Sequence, residues 1–113
     1  MVVPTVGEVI LVPFPFSDLS ETKLRPAIVL ADAGRGDWIL SQITSKPYGD
    51  PNAILLAATD FASGGLLVAS HARPGKLFTA NCSLIVRSVA KLTDAACQRL
   101  LDATVVLLRP VRG

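Results

Sequence analysis

Two short apolar runs, Val9–Val12 and Ala27–Leu30, stand on either side of a polar loop, Ser17–Lys23, and together they restrict this chain more than any other feature. Runs this short, rich in β-branched residues, suit strands rather than helices. In Glu8–Val12 apolar residues occupy both parities, which predicts a strand at least partly buried on both faces. Pro13 and Pro15 lack the ladder donor, so regular pairing is expected to stop there. Phe14 and Phe16 would point the same way in an extended chain, either as packing at the sheet edge or as a platform for a base. The loop closes on Leu24-Arg25-Pro26. A guanidinium keeps its charge at any working pH, and Pro26 restrains the backbone beside it. Arg25 is thereby fixed where the loop re-enters the sheet, a position suited to a phosphate or carboxylate and equally open to plain solvation.

Composition narrows the function classes. At 113 residues the chain is read as one domain, 1–113. Half its residues are hydrophobic and the mean hydropathy is +0.50, yet no apolar stretch reaches the roughly 18 residues of a membrane span. No membrane partner is expected. A small, apolar domain without a span suggests that surface is buried against a partner, often a second copy of itself. Eleven Lys and Arg against nine acids give a formal charge of +2, which excludes a protein that coats nucleic acid and leaves only a local groove for RNA. The segment from Arg73 to Arg87 contains Arg73, Lys76 and Arg87 without an acid, as a basic surface or an ordinary solvated face. Cys82 and Cys97 show no CxxC spacing and His71 is the one histidine, so neither a zinc site nor a disulfide framework is expected. The N-terminus has no signal-like segment. The chain is read as cytoplasmic, with reduced cysteines packed in the core.

Farther along, Ala27–Ala31 reads as the second strand, Asp32–Asp37 as a turn and Trp38–Ile43 as the third strand. Thr44 and Ser45 close that strand, and hydroxyls in this place commonly cap a strand end. After the turn cluster Tyr48–Asn52, Ala53–Ala57 is a short strand, Thr59–Gly65 a loop with room for a helical turn, and Leu66–Ala69 strand-like. Leu84–Ala90 has a strong strand pattern. Thr93 reads as an N-cap with Asp94 at the positive end of a helix running to about Leu108, before Pro110. Leu100, Leu101, Val105 and Leu108 would share its apolar face. Six or seven short strands and one C-terminal helix predict a strongly bent antiparallel sheet, partly closed into a barrel, with the helix packed on it.

Three blocks resemble the PemK/MazF family of toxin–antitoxin ribonucleases. They are Gly7-Glu8, an apolar strand, Pro13-Phe14-Pro15-Phe16-Ser17-Asp18 and Lys23-x-Arg25-Pro26; then Ser41-Gln42-Ile43-Thr44-Ser45; then Ser70-x-x-Arg73-Pro74-x-Lys76-Leu77-Phe78-Thr79. The resemblance covers most of the chain. It implies a mainly β, SH3-like barrel and a metal-independent, cofactor-free endoribonuclease that cuts single-stranded RNA. The RNA's own 2′-hydroxyl would attack, leaving a cyclic phosphate. Arg25 would stabilise the charge that develops at phosphorus, and Thr44 would sit across from it and bind the phosphate. Ser17, Asp18 and Lys23 of the loop, with Ser45, Arg73 and Lys76, would line the RNA path, Asp18 serving also as a turn cap. The resemblance further implies a homodimer and a cognate antitoxin whose disordered tail folds on binding. Where some relatives carry an acid after the arginine, as proposed base, this chain has Pro74 and Gly75, which leaves the base unassigned. His71 is an acid–base candidate by side-chain chemistry alone. The rival reading is a non-catalytic toxin on the same barrel, of the gyrase-poison kind, acting by protein contact.

Overall fold

The computed structural model describes residues 3–15 and 22–109. They form seven strands, β1 (Glu8–Pro15), β2 (Thr22–Gly34), β3 (Asp37–Thr44), β4 (Ile54–Leu56), β5 (Phe61–Gly64), β6 (Ser70–Asn81) and β7 (Arg87–Leu92), then one helix, α1 (Asp94–Leu108). Short 3₁₀ turns cover Ala58–Asp60 and Cys82–Leu84. All strand pairs are antiparallel, in the order β4-β6-β3-β2-β1-β7-β5. The two edge strands, β4 and β5, are joined by the short connection Ala57–Asp60, so the sheet curls round until it is nearly closed. This is the bent antiparallel barrel with a C-terminal helix that the pattern of strands predicts.

Burial explains why the central strands read as apolar on both parities. Val9, Ile28, Leu30, Ile43 and Leu92 pack on one face of the sheet with Ala96, Cys97 and Leu100 of the helix. Ile10, Val12, Ala27, Val29 and Leu40 pack on the other face with Ala80, Cys82 and Ile85. Both cysteines are buried in these cores and neither is in a disulfide. Burial pushes the Cys97 thiol up, and the Asp94 carboxylate nearby adds to the shift. β2 and β3 are joined by a two-residue turn, Arg35-Gly36, with φ of 57° and 80°. Positive φ at both positions is the hairpin geometry whose twist matches its strands.

Several boundaries differ from the sequence expectation. β1 continues through both prolines, paired as Pro13↔Leu24 and Pro15↔Thr22. The Val86 N–H donates to the Leu11 carbonyl (2.9 Å), so the polar backbone groups of Leu11 face β7. Successive residues alternate sides, so the prolines also turn away from β2, beyond the last β7 partner at Leu11↔Arg87. The missing N–H groups cost β2 nothing. β2 correspondingly begins at Thr22, so Arg25 lies within a strand and not at a loop end. Phe61–Gly64 is a strand and Leu66–Ala69 is a connection, the reverse of the expected order. The Leu84–Ala90 strand starts only at Arg87, because Asn81 caps the 3₁₀ turn before it by accepting the Ser83 N–H (3.0 Å). In α1 the Thr93 cap is present, accepting the Ala96 N–H at 3.1 Å. The buried stripe, however, is Ala96, Cys97, Leu100 and Thr104, while Val105 and Leu108 are exposed. The first part of the helix is buried on the sheet, and in its last turn Val105 to Leu108 are exposed, with Leu107 still beside Gly75 of β6.

Gly64 closes the barrel on the β5 side. It sits at φ 64°, and a Cβ there would overlap the Val89 carbonyl oxygen and stand 2.9 Å from Ala90 Cα. Gly64→Ala is expected to cost about 2 kcal/mol or more in urea unfolding, from left-handed strain plus displaced β7 backbone. A cost below about 0.5 kcal/mol would show that β5 is not clamped to β7.

Candidate active site

Register leads to the central pair. Ala27↔Gln42 is the last paired step of β2 and β3; Arg25 and Thr44 each lie two residues beyond it, where a continued register would set them opposite one another. Arg25 is itself paired with Val12 of β1. On the other side, Thr44 pairs with His71 of β6, and His71 with Leu55 of β4. Val12 and Arg25 form one row across β1 and β2, and Thr44, His71 and Leu55 another across β3, β6 and β4. Arg25 is half-buried, between a fully buried Val12 and the exposed Leu24.

A cavity of about 580 Å³ opens here. Arg25, Thr44 and Ser45 border it, together with Ser70, Arg87 and Ser88. Leu11, Pro26 and Ile43 contribute apolar surface, and the Gly65–Val68 segment forms a second apolar wall. Its described lining therefore holds two guanidinium-bearing residues and four hydroxyls, with no carboxylate and no imidazole. Such a lining favours an anion with an apolar part. The Thr44 hydroxyl accepts the Lys46 N–H (3.1 Å) and approaches the Lys46 carbonyl at 3.3 Å as donor. It ties down the turn after β3, as strand-end hydroxyls do, and this same tie holds it beside the cavity.

The other sequence candidates are spread more widely. Arg73 does not border this cavity: its Nε pairs with Asp50 at 2.7 Å and its Nη1 reaches the Gln42 side chain at 3.3 Å. Lys76 is exposed on β6, also away from the cavity lining. Lys23 is exposed on β2, two residues before Arg25. Ser17, Asp18 and Phe16 lie outside the described residues. Phe14 packs edge-on against Phe78, with centroids 4.9 Å apart, which is the packing reading of that residue. The His71 Nδ1 is buried without a hydrogen-bond partner among the described residues. No cluster of three metal-ligating side chains occurs among the described residues, and no helix there is long and apolar enough to cross a membrane. Ser88 and the Leu66–Val68 wall are cavity residues that the sequence did not point to, whereas Arg87 belonged to the acid-free segment from Arg73, and Ser70 to the third block.

The Arg73 guanidinium beside Asp50 holds its carboxyl below the usual aspartate range, and the Asn52 N–H adds to this. This contact ties the loop after β3 to β6. Because the folded state binds the Asp50 proton less readily than the unfolded chain does, the contact stabilises fully above the ordinary aspartate pKa. Its contribution fades as pH falls through the depressed folded value. Urea unfolding of wild type and Asp50→Asn should therefore differ at pH 7 and converge in acid. A difference that persists unchanged below about pH 2 would mean that the charge of Asp50 is not what matters.

No family model matches the sequence, and no curated protein matches it. Solved structures do. A chain of the MazE–MazF complex of Deinococcus radiodurans superposes with a TM-score of 0.74 at 21% identity, over 96% of this chain and 97% of that one. The Mycobacterium tuberculosis toxin MazF-mt6 gives 0.68 at 15% identity, over 89% and 95%. A mycobacterial endoribonuclease in complex with its cognate antitoxin gives 0.69 at 14% identity, over 99% and 100%. At such identities the likeness is one of architecture, and over nearly its whole length the chain carries the fold of the MazF toxins.

Proposed function

We propose that this protein is a MazF-type endoribonuclease that cuts single-stranded RNA and so inhibits translation. The observation that supports the reading is that Arg25 and Thr44 border one cavity lined with cations and hydroxyls. The RNA supplies the nucleophile. Its 2′-oxygen bonds to phosphorus, the bond to the 5′-oxygen breaks, and the proton lost from the 2′-hydroxyl is balanced by one gained at the leaving oxygen. The products are a 2′,3′-cyclic phosphate and a 5′-hydroxyl. No metal or cofactor takes part in this scheme. Charge builds on the nonbridging oxygens, and Arg25 stabilises it there with a fixed, permanently charged donor. Thr44 orients the phosphate through its hydroxyl. In-line attack needs a backbone free of A-form geometry, hence a single-stranded substrate. The cavity lining contains no carboxylate or imidazole among its described residues, so the reading assigns the rate enhancement to electrostatics and positioning.

The same reading includes a cognate antitoxin, a homodimer and a cytoplasmic setting. The exposed Leu55, Leu67 and Val68 beside the site, unusual on a lone small domain, support burial against another chain. The groove residues Ser17, Asp18, Lys23, Ser45, Arg73 and Lys76 remain its proposed RNA contacts, with Arg73 first having to leave or share Asp50.

The test is cleavage of a long single-stranded RNA in EDTA with mapping of fragment ends. Wild type is expected to give site-restricted cuts bearing cyclic phosphates, and Arg25→Ala to lose at least about 10²-fold in rate with its fold intact. Arg25→Lys should not recover the rate, because an ammonium lacks the planar donor pair. Intact RNA across varied sequences would overturn the nuclease reading and favour a toxin acting by protein contact.

A further inference from the structure

We propose that Arg87 is a second phosphate contact of this site, holding the RNA backbone next to the bond that is cut; the inference rests on the nuclease reading above. Three observations lead to it. Arg87, Leu11 and Pro26 form a row across β7, β1 and β2, through the pairs Leu11↔Arg87 and Leu11↔Pro26, and all three border the same cavity. Arg87 is exposed and has no carboxylate partner among the described residues, unlike Arg73 and Arg99, whose charges are paired with Asp50 and Asp60. Its backbone is firmly rooted, because the preceding Val86 N–H is bonded to the Leu11 carbonyl.

The spacing separates its role from that of Arg25. Arg25 sits on β2 and Arg87 on β7, with β1 between them. Two strand spacings put their backbones about 10 Å apart, and their rows are neighbours along β1, through Val12 for Arg25 and Leu11 for Arg87, so the two side chains leave the sheet on opposite faces and suit different phosphates of one strand. The same cavity is bordered by the aliphatic residues Leu11, Pro26, Leu66 and Leu67, so a nucleoside can lie on apolar surface while a phosphate beside it meets Arg87. Such a contact adds affinity without adding sequence preference. It acts on binding, and the chemical step stays with Arg25.

The experiment compares wild type, Arg87→Ala and Arg87→Lys in cleavage of an RNA containing the mapped site. It also measures binding of an all-2′-deoxy oligonucleotide of the same sequence, which lacks the nucleophile, by anisotropy from about 50 to 200 mM salt. Arg87→Ala is expected to raise KM about tenfold with kcat little changed, and to reduce the slope of log affinity against log salt by about 0.7. Arg87→Lys should keep the slope. An Arg87→Ala protein that melts like wild type yet keeps its KM and slope would overturn the inference and leave the nuclease reading standing. Loss of kcat at unchanged KM would also overturn it, since Arg87 would then act on the reaction. A wild-type protein that neither cuts RNA nor binds the oligonucleotide would overturn both.

Discussion

The antiparallel pairing of β1, β2 and β3 is the constraint on which the rest of this molecule depends. These strands are buried on both faces, so a slip of one residue would carry each apolar set into the wrong core. Ile28 and Val29 could not exchange places without unpacking the helix on one side and Leu40 on the other. The same pairing leads to the strand ends at which Arg25 and Thr44 border one cavity. Site geometry therefore follows from hydrophobic packing several residues away, and no dedicated polar scaffold is needed to bring a cation and a hydroxyl together.

Much of this was legible in the chain. Apolar residues on both parities of Glu8–Val12 announced a doubly buried strand, and Thr93 announced the helix start, since a hydroxyl before an apolar run has few other uses. Other features depended on contacts between distant segments. Pro13 and Pro15 read as strand breakers because local rules know the missing donor but not the side on which it would have pointed. Leu66–Ala69 has strand composition and yet serves as a wall of the cavity, while Phe61–Gly64 takes the edge position because Gly64 fits against β7 with no room for a side chain. On the helix, apolar residues continue to Leu108 while the buried stripe is Ala96, Cys97, Leu100 and Thr104, so periodicity alone chose the wrong stripe.

The candidate site was legible in part, and for a similar reason. Arg25 and Thr44 stood out through local motifs. Arg73 looked equally available, but its charge is taken up by Asp50, from a loop whose approach to β6 nothing nearby in sequence foretells. Arg87 stood only as one end of an acid-free segment, as readily a solvated face as a basic surface. Its position became meaningful only when β7 was found to lie against β1, on the side opposite β2.

The two prolines of β1 have a consequence beyond their own pairing. β7 ends opposite Leu11, so the outer half of β1 is flanked by β2 on one side and by no strand among the described residues on the other. A bare strand flank is a natural template for strand addition by another chain. Here that flank carries Pro13 and Pro15, so a strand laid along it would find carbonyl groups without the matching N–H donors. The barrel thereby disfavours the least selective form of association, backbone zipping, along this flank. A partner that approaches from this side must be recognised by its charges and side chains.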